Sequence, residues 1–211
     1  DISHVDAAVD ALAPHLEEPC LVVGKSTVPV GTARRLAAQL ARTAPVGTAA
    51  ELAWNPEFLR EGHAIADTLT PDRLVFGVDS DHAESVLREV YASALNGGTP
   101  LVVTDLPTAE LVKVSANAFL ATKISFINAI AEICETTGAD VVKVADAIGH
   151  DPRIGRRFLD AGLGFGGGCL PKDVRAFIAR AGEIGAGQSL LFLHEVDAIN
   201  LRRRERVAEI A

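Results

Sequence analysis

Between Asp105 and Gly138 the sequence carries a single helical pattern, and no other feature constrains the fold as much. Leu111, Val114, Ala118, Ala121, Ile124, Ile127, Ala131 and Cys134 recur every three or four residues, which lines them along one stripe of a helix. Gly138 supplies the C-terminal stop. The residues before this helix read differently. Residues 20–24, 51–54, 73–78 and 101–104 are short apolar runs with the length of buried strands. Residues 31–43 and 82–95 show helical spacing, with Ala33, Leu36, Ala37 and Leu40 sharing a side in the first. Residues 3–15 open the chain as a further helix, capped by Ser3, with Val5, Val9, Leu12 and Leu16 facing inward.

Strands that alternate with helices predict a parallel, doubly wound sheet. Such sheets take ligands beyond the carboxyl ends of their strands, which places the loops after Val23, Trp54 and Val78 at the ligand edge. After Asp105 no strand pattern appears, and shorter helices are expected over 140–148, over 173–181 and from 189 onward. The predicted organisation is an α/β part, residues 1–104, and an all-α part, residues 105–211, joined by the long helix. A helix of this kind often carries a dimer interface, and amphipathicity alone fits an internal core equally.

The net charge of −8 argues against a nucleic-acid surface, because phosphate-tracking surfaces are basic. No stretch reads as the roughly 18 apolar residues of a membrane span, and no signal-peptide pattern opens the chain. The three cysteines, Cys20, Cys134 and Cys169, are an odd number without metal spacing. Reduced thiols in a cytoplasm follow as the expectation, with no metal site. The chain starts within what reads as a helix cap and ends in a charge-rich helical run, so it is expected to be a piece of a longer protein.

Five segments carry chemistry. The densest is Gly164-Phe165-Gly166-Gly167-Gly168-Cys169-Leu170-Pro171-Lys172-Asp173. Its glycines allow close backbone approach to a ligand, and Pro171 suits the first turn of a helix. Cys169 then precedes a helix N-terminus, where the macrodipole favours a thiolate. Lys172 and Asp173 lie in the same turn, and Asp173 offers acid–base chemistry to a nucleophile. The bland alternative is a flexible loop with a buried thiol. Lys113 and Asn117 are four residues apart and emerge on one helix face, where ammonium and carboxamide would stabilise an oxyanion. Alternatively, they are a snorkelling lysine and a solvated asparagine.

Residues 52–62 follow a strand. Glu57 is a candidate proton acceptor, with Glu61 beside it if the segment turns helically, and Pro56 forces Asn55 toward an extended conformation. Residues 25–31, Lys-Ser-Thr-Val-Pro-Val-Gly, end another strand with hydroxyls and free N–H groups. Residues 151–157 supply local cations for a pyrophosphate or carboxylate. The alternative for residues 52–62 is an Asn-Pro turn with two surface carboxylates; basic loops and capping hydroxyls are common, so the other two segments are weak by themselves.

Together, residues 25–31, 55–62, 110–120, 151–155 and 164–173 resemble, in order, the UDP-glucose/GDP-mannose dehydrogenase family, and most closely its UDP-glucose 6-dehydrogenase type. The resemblance covers essentially the whole chain. It implies the later part of a Rossmann-like NAD domain followed by a helical central domain through which two copies pair. It makes Cys169 the nucleophile of thiohemiacetal and thioester intermediates. Glu57 and Thr27 match positions for proton transfer and the catalytic water. Lys113 and Asn117 match contacts to the reacting end of the sugar, and Asp173 the acid beside the cysteine. Ser26, Thr27, Val28, Glu61 and the turn from Cys169 to Lys172 match cofactor contacts. Glu57, Phe58, Leu59, Lys113, Asn117, Arg153, Phe158, Leu159, Phe165 and Gly166 match the substrate surface, with Arg153 reaching the neighbouring subunit's substrate. The implied reaction takes a sugar C6 alcohol through the aldehyde to the acid, with two hydrides passing to NAD.

The fingerprint Gly-x-Gly-x-x-Gly after a first strand is absent from these residues, and so is the acid expected roughly 20 positions later. The chain by itself is therefore expected to bind NAD weakly and turn over little. GDP-mannose and UDP-N-acetylhexosamines are rival substrates within the family. β-Hydroxyacid dehydrogenases, which use a helical lysine without a thiol, and a non-catalytic dimerisation module are the readings outside it.

Overall fold

The computed structural model describes residues 2–210, which form two compact units, one through Lys113 and one from Val114. In the first unit, helix α1 (Ser3–Leu12) leads through a short 3-10 turn to strand β1 (Cys20–Gly24). Helix α2 (Thr32–Thr43), strand β2 (Ala50–Trp54), the short helix α3 (Ala64–Leu69) and strand β3 (Leu74–Gly77) follow. Helices α4 (Asp81–Val90) and α5 (Ala92–Asn96) then precede strand β4 (Leu101–Thr104), and α6 (Leu106–Thr137) begins. Ser3 is the first residue inside α1, and Ile2 holds the capping position. Leu12, expected inward, is 40% exposed, whereas Val9 is buried and Val5 and Leu16 pack beside it.

The four strands lie in the order β1-β2-β3-β4. β1 pairs parallel with β2, and β3 parallel with β4. The expected parallel order fails at one place: β3 meets β2 antiparallel, through the single pair Trp54–Gly77. Residues 55–73 between them hold one short helix, the six-residue α3. The segment after Val78 therefore leaves in the direction opposite to those after Gly24 and Trp54. Ser80, which caps α4 through Ala83 N–H, accordingly hydrogen-bonds Glu51 near the start of β2.

The strands' two-residue period divides their side chains between two apolar layers. Leu52, Trp54 and Val75 face α1, α2 and the first turns of α6, with Val9, Leu36, Leu40, Leu106 and Ala109. Ala53, Leu74 and Phe76 face the other way, against Leu87 of α4 and Tyr91 and Leu95 beyond it. The helix expected over 82–95 is broken at Tyr91 into α4 and α5. The N-terminus of α2 starts from Gly31 in a left-handed conformation. Its free N–H groups are met by Glu110 of α6, whose carboxylate accepts from Gly31 at 2.7 Å and Ala33 at 2.7 Å. A carboxylate at a helix N-terminus gains from both the bonds and the macrodipole, and this one is 2% exposed.

The second unit is all helical among the described residues. Around α6 stand α7 (Val141–Gly149), α8 (Leu170–Glu183) and α9 (Leu191–Ile210). Asp140 caps α7 by accepting from Val142 and Lys143 N–H. Ala118, Ala121, Phe165, Val174, Leu193 and Val196 form one core, and Ile127, Ala145 and Leu159 a second. By length and composition α6 is apolar enough to cross a bilayer, with a hydropathy of 1.3 in its best window, which corrects the sequence reading. Its buried side, 44% of that window, instead packs into these cores, while Leu111 lies at the exposed edge of the predicted stripe.

Replacing Glu110 by alanine orphans two N–H donors at the start of α2, that of Ala33 buried and that of Gly31 part-buried. The expected loss is about 2–3 kcal/mol of unit-one stability, read by urea unfolding through Trp54 fluorescence. A loss under about 0.5 kcal/mol would contradict the assignment.

Candidate active site

The first unit gathers its polar side chains where β1 and β2 end. β1 gives way to Lys25, Ser26 and Thr27, and β2 to Asn55, Pro56 and Glu57. Asn55, 1% exposed, continues the ladder by donating its N–H to Gly24 O at 2.8 Å. Its side chain donates to Val75 O at 3.0 Å and accepts from Lys25 Nζ at 2.7 Å and from the Tyr91 hydroxyl. The sequence reading assigned Lys25 and Tyr91 no role. They hold the two strand exits together, one carrying Thr27 and the other Glu57.

From that anchored turn the Glu57 carboxylate accepts from Leu59 N–H at 2.6 Å and lies 3.8 Å from the Lys113 ammonium. Lys113 is 7% exposed, so it does not snorkel to solvent. Its Nζ stands 5.3 Å from the centre of the Phe58 ring, on which the Arg73 guanidinium stacks at 3.8 Å. Charge pairing and a cation–π contact thus retain an ammonium in an apolar setting. A shallow cavity of about 100 Å³ borders Lys25, Asn55, Glu57, Phe58 and Arg73. Residues 55–62 do not form a helix, so the condition that would set Glu61 beside Glu57 is unmet, and Glu61 is exposed in a turn with Gly62. The same loop is closed by Arg60, whose guanidinium donates to both oxygens of Asp67, at 3.0 Å through Nε and 2.5 Å through Nη2. Ser26 is exposed and Thr27 half-buried, while Val28 is a core residue.

In the second unit Cys169 occupies the capping position of α8, with Leu170 and Pro171 as its first helical residues. That helix begins earlier and ends later than the expected 173–181. Cys169 is exposed, whereas Cys134 is buried and Cys20 half-buried. One turn on, Asp173 is 3% exposed; its N–H donates to Cys169 O at 2.9 Å. Its carboxylate accepts from Asn117 Nδ2 at 2.6 Å and lies 3.5 Å from Lys172 Nζ. Asn117 is 8% exposed and held by a hydrogen bond, not solvated.

Other expected contacts fall differently. Arg153 forms a two-point pair with Asp151, at 3.0 and 2.6 Å, on an exposed loop. Arg156 is committed to Asp146 at 2.6 Å and Asp160 at 2.8 Å. Phe158 is 41% exposed and holds a left-handed backbone, φ 65°, which bulky residues avoid. Leu159 and Phe165, expected on the ligand surface, have their side chains in cores, 2% and 4% exposed. Next to them Gly166, Gly167 and Gly168 are exposed. Among the described residues no cluster of three His, Cys, Asp or Glu is placed to hold a metal.

Ser26 and Thr27 follow β1 at its carboxyl end, the edge of such a sheet where ligands bind. Residues 1–95 match the NAD binding domain of the UDP-glucose/GDP-mannose dehydrogenase family, and residues 107–202 match its central domain. The chain belongs to that family. It is similar to the UDP-glucose 6-dehydrogenase TuaD of Bacillus subtilis, 43% identical over 99% of this chain and 44% of that protein. A UDP-glucose 6-dehydrogenase of Rickettsia bellii is 48% identical over 83% of this chain and 40% of its own length. The solved structure of a UDP-glucose dehydrogenase from Pyrobaculum islandicum superposes with a TM-score of 0.89 at 40% identity, covering 96% of this chain and 46% of that one. A GDP-mannose dehydrogenase from Pseudomonas aeruginosa superposes at 0.68 with 28% identity, over 96% and 47%. The chain thus spans less than half the length of these relatives.

The Arg60 guanidinium, by its hydrogen bonds, holds the Asp67 carboxyl down at about 2. Because the folded value lies below the unfolded one, the pair supports the 58–67 loop above about pH 4 and fails as pH falls toward 2. Carbon-13 titration of the Asp67 carboxyl should give a midpoint near 2 that Arg60→Ala moves upward; an ordinary midpoint in the parent would refute the pairing.

Proposed function

We propose that this chain carries the reacting groups of an NAD-dependent UDP-glucose 6-dehydrogenase, which oxidises the sugar C6 alcohol to the carboxylate through a thioester on Cys169. One observation carries the reading: an exposed thiol caps α8, with the buried Asp173 one turn below it and locked to Asn117 of α6. Family membership and the UDP-glucose 6-dehydrogenases among its relatives support the substrate.

Ser26, Thr27, the Val28 backbone, Glu61 and the turn from Cys169 to Lys172 would hold NAD, and two NAD bound in turn would accept the two hydrides that leave C6. The chain's own groups do the rest. The alcohol loses its proton toward Asp173 or a water beside it as the aldehyde forms. The Cys169 thiolate then adds to the aldehyde carbon, making the C–S bond and leaving an oxyanion. The Lys113 ammonium and the Asn117 amide offset that charge. After the second oxidation, water held by Thr27 and Glu57 attacks the thioester carbon. Glu57 accepts its proton, the C–S bond breaks, and the thiolate is restored. Phe58, Leu59, Phe158 and Gly166 form the surface for the sugar nucleotide, Arg153 reaches a neighbouring subunit's substrate, and Leu159 and Phe165 shape their loops from within the cores.

Two copies pair through α6, whose outer face exposes Phe119, Phe126 and Ile133 at 64%, 48% and 58%, seven residues apart. Unpaired cysteines fit a cytoplasmic protein.

The test is made on the gene product that carries these residues, assayed with UDP-glucose and NAD. Two NADH per uronate are expected, and Lys113→Ala should lower kcat about 10²–10³-fold. Cys169→Ser should abolish formation of the acid. Normal oxidation through both stages by Cys169→Ser would end the proposal, and a preference for GDP-mannose or an N-acetylhexosamine nucleotide would reassign the substrate.

A further inference from the structure

The glycine turn before Cys169 has no side chains of its own to fix it: Gly166, Gly167 and Gly168 are exposed, and Gly167 has φ 71°. Its amino end is fixed instead by α9. Asn200, 2% exposed, accepts from Phe165 N–H through Oδ1 at 2.8 Å and donates from Nδ2 to Phe165 O at 3.0 Å. Arg204, one helical turn on, donates to the same carbonyl at 2.6 Å. One carboxamide therefore satisfies both backbone groups of one residue, as a strand neighbour would, and a guanidinium takes the carbonyl's second lone pair. The space is shaped for this. A Cβ at Gly164, which has φ 95°, would come within 2.3 Å of Asn200 Oδ1, and one at Gly166 within 2.8 Å of Arg204 Nη2. Below the clamp the Phe165 ring is buried against Ala118, Ala121, Val174, Leu193 and Val196.

We infer that Asn200, with Arg204, is a positioning residue for Cys169: the pair fixes the Phe165 peptide and so sets where the glycine turn delivers the thiol at the start of α8. The inference deepens the proposed function, since it matters to catalysis only if Cys169 is the nucleophile. Buried amides are retained in cores only when fully bonded, and leucine, with similar volume, would fill the space without holding the peptide. Aspartate keeps the acceptor for Phe165 N–H and leaves the carbonyl to Arg204, so it should preserve part of the clamp.

The test uses the intact chain without substrate, so its failure is distinct from failure of the catalytic proposal. Iodoacetamide labelling is followed by peptide mass mapping, with Cys20 as internal reference, and amide exchange is read in the peptide around Phe165. In Asn200→Leu, exchange around Phe165 should rise about tenfold and the Cys169 labelling rate relative to Cys20 should change at least about fivefold, with the helical circular dichroism retained. Asn200→Asp should restore most of both. If Asn200→Leu does not fold, Arg204→Leu on the exposed face of α9 reads the same turn, with a change of about threefold expected. Unaltered Cys169 labelling in a folded Asn200→Leu protein, or in Arg204→Leu if only that one folds, overturns the inference.

Discussion

The hydrogen bond from Asn117 to Asp173, at 2.6 Å, is the contact on which the reading of the second unit rests. A carboxylate that is 3% exposed is costly to bury unless its lone pairs are met. Asn117 meets one oxygen and Lys172 approaches the other from the rim. Because Asp173 sits in the first turn of α8 and bonds back to Cys169 O, satisfying it also fixes the rotation of that turn. The thiol at its cap is held in place by this arrangement and remains exposed.

The first unit solves a similar problem with the opposite charge. Lys113 is an ammonium out of water, and it is kept by Glu57 on one side and the Phe58 ring on the other. Glu57 can face it because Asn55, clamped by Lys25 and Tyr91, fixes where the strand exit turns. Each unit therefore holds one charged side chain out of water beside a polar partner, Asp173 with Asn117 and Lys113 with Glu57.

Much of this was readable from residue order. β1 and β4 coincide with the apolar runs 20–24 and 101–104, and the long helix ends at Gly138, which has the left-handed backbone, φ 76°, that such a stop requires. Spacing on that helix placed Lys113 and Asn117 one turn apart, and the glycine-proline pattern placed Cys169 at a helix start. The direction of β3 was not readable, because a four-residue apolar run looks the same in either direction. Nor were Glu110 at Gly31, Asn200 at Phe165 or Tyr91 at Asn55. These partners lie 79, 35 and 36 residues apart, and no local pattern encodes a bond across such a separation. The burial of Leu159 and Phe165 was not readable either, because it depends on the helices packed over them.

The proposed function is a covalent route through one sulfur, that of Cys169. Its most direct test is to quench turnover of UDP-glucose with acid and map the peptides by mass. A uronyl adduct on the peptide containing Cys169, lost on treatment with hydroxylamine, is the predicted result. Uronate accumulating with that peptide unmodified at every time point, or an adduct on Cys20 or Cys134, would contradict the account.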